Sequence, residues 1–304
     1  MPINFIYSSR FLEYKEAGHP ESPERLKAIV DFLEKKKVGR FIVPQECTEE
    51  DLLLVHSKEL VNNVMNNLLP YDPDTPNIKN IYRYAVLSCG ASLEACRLAL
   101  MGQMSFALSR PPGHHAGRNR IGGFCYFNNM AVAIKKNVLN KGIKAAILDI
   151  DGHHGNGTEE IFKGMDNIIY VSIHQFPAFP GTGSTSFGNC YNFPVYVGST
   201  AETYMEKFKR ALNVISEFSP EIIGISAGFD THIKDPLLQM PLEDKHYYFM
   251  GKEITAVEGK KFIILEGGYN VSTIGHTCYC FIKGLMKEKN QVGEKQGEEK
   301  FKQV

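Results

Sequence analysis

The sequence has no excess of either charge: 34 lysines and arginines stand against 34 aspartates and glutamates. A chain so balanced projects no overall field toward nucleic acid or an anionic membrane, so neither is expected as a direct partner. Its 7 cysteines (Cys47, Cys89, Cys96, Cys125, Cys190, Cys278 and Cys280) include no Cys-x-x-Cys pair. That argues against a thiolate metal clip and for a reduced, intracellular protein, with Cys278-x-Cys280 read as core packing. No apolar run reaches the length of a membrane span. The opening MPINFIYSSR lacks a basic stretch leading into a long apolar one, so no signal peptide is expected and the cytoplasm is the expected compartment. There is no internal repeat and no linker long enough to divide domains. The oligomeric state is not legible.

What is present is an alternation of strand and helix patterns within 304 residues, enough for one large α/β domain or two small ones. Short apolar runs at residues 3–7, 104–108, 145–148, 168–174, 222–227 and 261–265 read as strands. Helical spacing predicts helices from Glu24, with Ser22 as cap and Pro23 in the first turn, and from Thr48. Further helices are expected over 59–69, 81–101, 129–139, 202–218 and 273–286. Residues 8–24, 70–76 and 175–189 read as loops, and the charged tail 287–304 is expected to fray. Strands alternating with helices predict a mostly parallel sheet flanked by helices on both faces.

The chemistry concentrates in AAILDIDGHHGNGT, residues 145–158. An apolar strand runs here into Asp149, Asp151 and His153, spaced two apart and able to share one face if strand geometry persists. Two carboxylates and an imidazole in an apolar interior need a compensating cation. A lone Asp-x-His is equally well a solvated turn. Other strand ends, however, also deliver polar residues beside glycines: His114 and His115 after a Pro-Pro-Gly turn, Asp230 in GFD, and Tyr269 in EGGYN. In open α/β sheets, sites form beyond the carboxyl ends of the strands.

Read as chemistry, Asp151, His153 and Asp230 supply the three ligands of a catalytic zinc that keeps one open position. One nitrogen among oxygens also suits iron(II) or cobalt(II). Amide hydrolysis then needs a base for the water and an acid for the leaving amine, and His114-His115 suits that work. Asp149 is the natural carboxylate to orient one of the pair, and the Tyr269 hydroxyl could donate to a developing oxyanion. Taken singly, each has a plainer reading: surface histidines, a turn aspartate, a packing tyrosine.

Together the motifs HPESPERL (19–26), RPPGHHA (110–116), GGFCYFNN (122–129), LDIDGHHGNGT (148–158), SIHQFPAFPGTG (172–183), GFDTHIKDPL (228–237) and EGGYN (266–270) resemble the metal-dependent histone deacetylase superfamily, which also holds acetylpolyamine amidohydrolases. The resemblance implies a single-domain arginase/deacetylase-like fold over 1–286. It implies zinc on Asp151, His153 and Asp230, with His115 as base and acid, His114 tuned by Asp149, and Tyr269 polarising the carbonyl. It also implies structural potassium bound by Asp149, Ser172 and the carbonyls of Asp151, His153 and Ile173. Gly123, Phe124 and Phe179 match walls of a narrow acyl-lysine channel, Leu237 a rim position, and Arg25 an inner-cavity arginine. Asp72 or Asp74 matches an acid that accepts the substrate's amide hydrogens. Asn156 stands where many relatives carry a second aspartate facing the catalytic histidine. A neutral amide there raises the His115 pKa less than a carboxylate would. Leu237 stands where a polyamine-selective branch carries an acid, which weighs against strict polyamine selectivity. The implied activity is removal of acetyl or short acyl groups from acyl-lysine or acylated small amines. An arginase-like two-metal hydrolase would need more bridging carboxylates than GFDTH offers. A catalytically silent acyl-lysine binding module would not need every one of these positions filled.

Overall fold

The computed structural model describes residues 3–286; the tail expected to fray lies outside them. Eight parallel strands form one sheet in the order β2-β1-β3-β8-β7-β4-β5-β6. They are β1 (Asn4–Ile6), β2 (Arg40–Ile42), β3 (Ser105–Ala107), β4 (Ala145–Asp149), β5 (Ile168–Gln175), β6 (Cys190–Val195), β7 (Ile222–Ala227) and β8 (Lys260–Leu265). Every residue of β3, β4, β5 and β7 is buried, as in a parallel sheet covered on both sides. The expected α/β single-domain fold is the one observed, and one continuous apolar core runs from β1 to the last described helix.

The helices are α1 (Pro23–Lys35), α2 (Glu49–Leu53), α3 (Lys58–Met65), α4 (Ile81–Leu100), α5 (Asn129–Asn137), α6 (Asn156–Phe162), α7 (Ala201–Phe218), α8 (Asp244–Ala256) and α9 (Ile274–Leu285). Pro23 opens α1, and Thr48 and Asp51 close a reciprocal capping box on α2. The α4 helix packs on β1, β3 and β8, and α7 packs on β4, β5 and β6. The α9 helix lies against α1 and α8. Among the described residues no helix is long and apolar enough to cross a membrane.

Four elements escaped the sequence reading. Both edge strands are too slight to announce themselves: β2 is three residues and largely exposed, and β6 contains Pro194, which an edge tolerates. The α6 helix begins Asn-Gly, a turn signal, and α8 interrupts its buried face with Gly251. The helix expected over 59–69 stops at Met65. The topology matters most for what it sets side by side. Strands β3, β8, β7 and β4 are consecutive neighbours, so the loops leaving their carboxyl ends start next to one another.

Candidate metal centre and its cavity

The alternation expected through Asp149, Asp151 and His153 does not persist, because β4 ends at Asp149. The reason is local. Asp149 Oδ1 accepts the Asp151 N–H at 3.2 Å, and Asp151 Oδ1 accepts the His153 N–H at 2.9 Å. Short acidic side chains that bond the backbone two residues on turn the chain out of the ladder. Asp149 is thereby separated from the other two.

Asp151 and His153 instead meet Asp230 from β7. His153 Nδ1 lies 3.2 Å from Asp151 Oδ1 and 2.8 Å from Asp230 Oδ2. The remaining carboxylate oxygens are held by backbone: Gly267 N–H donates to Asp151 Oδ2 and Gly152 N–H to Asp230 Oδ1, each at 2.7 Å. Residue 267 has to be glycine for this. A Cβ there would stand 2.6 Å from Asp151 Oδ2 and 2.8 Å from Asp230 Oδ2.

Buried this way, the group is short of positive charge. Burial, followed by repulsion from Asp151, pushes Asp230 up to about 7. Burial disfavours a charged His153, but the two carboxylates outweigh it and push it up to about 10. Asp151 moves the other way: burial opposes its charge, but His114 and then His153 outweigh it and hold it below the ordinary range. One ligand atom from each of the three residues lies within 4.8 Å of the others, a donor set of two oxygens and a nitrogen that fits a divalent ion.

Asp149 serves the histidine pair. His114 Nδ1 donates to its Oδ2 at 3.1 Å, and Tyr170 Oη donates to the same oxygen at 2.9 Å. Burial opposes a charged His114, but Asp151 and Asp149 outweigh it and push it up to about 10. His115 goes the other way: burial and then the charge of its neighbours His114 and His153 hold it well below the usual imidazole range. His115 Nδ1 pairs with Asn156 Oδ1 at 2.9 Å. An amide oxygen only accepts, so Nδ1 carries the proton and Nε2 the lone pair.

A cavity of about 440 Å³ is lined by His115 and His153, by Gly123, Phe124 and Phe179, and by Leu237, Tyr269 and Asp74. Phe179 stands edge-on to His115, ring centres 5.0 Å apart, and Phe124 edge-on to Tyr269 at 5.6 Å. Burial, opposed by the Arg25 guanidinium over its ring, keeps the Tyr269 phenol protonated well above its ordinary range. Asp72 does not join the lining. Its Oδ1 caps its own loop, accepting from Asp74 and Thr75 N–H. Ser172, expected beside Asp149, is its direct register partner across β4 and β5.

Several residues that shape this site were not singled out in the sequence. Glu266 Oε2 accepts Gly113 and His114 N–H, and its Oε1 accepts Ser226 Oγ–H, tying the β3 loop to β7 and β8. An acid directly after an apolar strand was the available signal. Thr75 Oγ1 accepts Phe124 N–H, and His19 packs on the Phe124 ring. Arg25, already matched in the sequence to an inner-cavity arginine, donates to the carbonyls of Gly268 and Glu266 and so braces the loop that carries Tyr269.

Comparison with known proteins defines the class first. The histone deacetylase domain family matches residues 19–285. A probable deacetylase of Archaeoglobus fulgidus is 34% identical over 298 residues, covering 89% of this chain and 82% of that protein. Acetylpolyamine amidohydrolase 2 of Pseudomonas aeruginosa is 29% identical over 315 residues, with 87% and 91% covered. The crystal structure of the HDA15 HD domain superposes with a TM-score of 0.87 at 34% identity, over 94% of this chain and 89% of that one. The chain belongs to the histone deacetylase family, a family of metal-dependent hydrolases.

Proposed function

We propose that this protein is a zinc-dependent amidohydrolase that removes acetyl or short acyl groups from acyl-lysine side chains or acylated small amines. The observation that carries this reading is the presence of His115, His153 and Tyr269 on the wall of one cavity. Asp151, His153 and Asp230 would hold the ion, zinc first, with iron(II) and cobalt(II) suited to the same donors. When bound, the ion supplies Lewis acidity toward a carbonyl oxygen and a water.

The chain's own residues do the rest. His115 Nε2 takes a proton from the attacking water and later delivers it to the departing nitrogen. Asn156 holds the tautomer that leaves Nε2 free. Tyr269 Oη–H donates to the carbonyl oxygen as charge builds there. His114, anchored on Asp149, keeps positive charge beside His115 and so restrains its basicity. Phe124 and Phe179 exclude water from a thin acyl chain. A structural potassium belongs to the same reading, on Asp149, Ser172 and the carbonyls of Asp151, His153 and Ile173; the register pairing of Asp149 with Ser172 supports it. A cytoplasmic setting is supported by the 7 cysteines, all buried and free.

One observation favours an acylpolyamine as the amine. Leu237 offers no acid, but Glu16 and Asp74 both line the cavity and supply two carboxylates from other loops. The test is a parallel kinetic comparison of acetyl-lysine peptides, longer acyl-lysines and acetylated polyamines on one preparation. Turnover of one class is the expected result, and binding of all three without turnover would mean a silent binding module instead. A polyamine preference that weakens in Glu16→Gln and Asp74→Asn would select the second reading.

A further inference from the structure

Away from the cavity, Asp244, His276 and Cys280 bring a carboxylate, an imidazole and a thiol together where the amino-terminal ends of α8 and α9 meet. His276 and Cys280 are four residues apart on α9 and share one helix face. Asp244 is the first residue of α8. Its Oδ2 lies 2.8 Å from His276 Nδ1, and Cys280 Sγ lies 4.0 Å from that nitrogen and 3.8 Å from Nε2. One ligand atom from each residue falls within 4.8 Å of the others. Cys280 is buried, while Asp244 and His276 are half-exposed, so the group opens to solvent on one side.

An Asp–His hydrogen bond alone would clasp the two helices. The neighbours do more than that. Thr277 Oγ1–H donates to Asp244 Oδ1 at 2.7 Å and fixes the carboxylate with Oδ2 toward His276. Outer partners that orient a donor in this way are what metal ligands require. A second histidine is close, with His232 Nε2 3.7 Å from Asp244 Oδ1. Its Nδ1 accepts the Lys234 N–H, which leaves the ring proton on Nε2 and removes His232 as a ligand.

We propose that Asp244, His276 and Cys280 form a second ion site, separate from the Asp151–His153–Asp230 cluster, for a borderline divalent cation of the zinc or cobalt(II) kind. Mixed sulfur, nitrogen and oxygen donors select such an ion over magnesium or calcium. Solvent completes the coordination on the open side. The ion ties the start of α8, which follows the segment carrying Asp230 and Leu237, to α9, which follows Tyr269. The two neighbouring cysteines thus part company: Cys278 is core, and Cys280 faces the ion.

Sulfur gives a readout that does not depend on turnover. Cobalt(II) is titrated into the metal-free full chain, and the near-ultraviolet sulfur-to-cobalt absorption is followed. The Asp151–His153–Asp230 cluster has no sulfur, so it cannot produce that band. The wild-type chain is expected to show the band, Cys280→Ser and His276→Gln to lose it, and Asp151→Asn to keep it. A saturated wild-type chain without the band, or a band that survives Cys280→Ser, overturns the site. Either failure leaves the deacetylase reading untouched, and an inactive enzyme that still shows the band leaves this one untouched.

Discussion

Two buried charge clusters lie near one another, and they are built on opposite plans. In the first, Glu21 sits between two arginines. Arg110 donates from Nε to Glu21 Oε1 at 2.6 Å and from Nη2 to Oε2 at 2.8 Å, and Arg25 Nη1 donates to Oε1 at 2.9 Å. Tyr14 and the carbonyls of Phe11, Gly268 and Glu266 take up further hydrogen bonds. Burial disfavours the Glu21 carboxylate, but the arginines outweigh it and hold it below the ordinary range. In the second cluster, His153 is the one cation between Asp151 and Asp230, His114 reaches Asp151 at 3.8 Å but not Asp230, and burial leaves Asp230 far above a normal carboxylate. The first cluster is electrically complete within the chain. The second is complete only with a proton or a cation from outside, and that is the difference between a brace and a site.

If that contrast holds, substitutions beside the second cluster should appear in turnover, and substitutions in the first should appear in stability. The largest expected effect is on His115. His115→Ala should lower kcat by about 10³-fold or more, in the range assigned to a positioned acid–base group, with little change in Tm. His114→Ala should cost less, and steady-state kinetics showing the reverse order would exchange the roles of the pair. Next comes Glu21→Gln, which strands two buried guanidinium groups. Removing one partner of such a network costs about 3–5 kcal/mol, readable by urea denaturation, while cobalt(II) binding by the folded fraction should be retained. A stability loss below about 1 kcal/mol would deny that the network braces anything. Tyr269→Phe follows, with a loss of about 10²-fold in kcat and unchanged metal affinity, the scale of one oxyanion donor. Normal turnover in that variant would take Tyr269 out of the mechanism.

The two clusters also differ in how well the sequence announces them. Asp151, His153 and Asp230 follow apolar strands and stand beside glycines, a pattern visible without coordinates. Their convergence depends on strand order, which places β4, β7 and β8 side by side. Order is a long-range property, so no local window reports it. The brace was hidden more completely. Residues 8–24 read as a polar loop, yet Phe11, Tyr14 and Glu21 are buried there around Arg110. Nothing in the local composition distinguishes a solvated glutamate from one held by an arginine 89 residues away. Which of Asp72 and Asp74 lines the cavity was equally closed to sequence, since it turns on which carboxylate is spent on its own loop. The strand alternation through Asp149, Asp151 and His153 failed for a reason the sequence did contain, since Asp side chains favour turns of their own.

The smallest expected effect tests the contrast through pH. Glu21 is depressed in the folded state, so its contribution is present above its unfolded value of 4.5 and is lost only as pH falls below that. Asp230 is raised from 3.8 to about 7, so whatever it contributes is intact below 3.8 and is lost as pH rises toward 7. Glu266, raised from 4.5 to about 7 by burial against the pull of His114, has the same sign. His153, raised from 6.5 to about 10, extends the loss above neutrality. His56, His115 and His174, buried and held low, add stability as pH rises but only up to their unfolded value of 6.5, so the metal-free protein should lose Tm between about pH 6.5 and pH 8, while the brace contributes no slope there. A divalent ion replaces the missing protons, so the Tm gained on adding zinc should grow across the same interval. Calorimetry at matched ionic strength reads both curves. If the gain from zinc were the same at pH 5 as at pH 8, Asp151, His153 and Asp230 would not be competing with protons for the ion, and the second cluster would be as self-sufficient as the first.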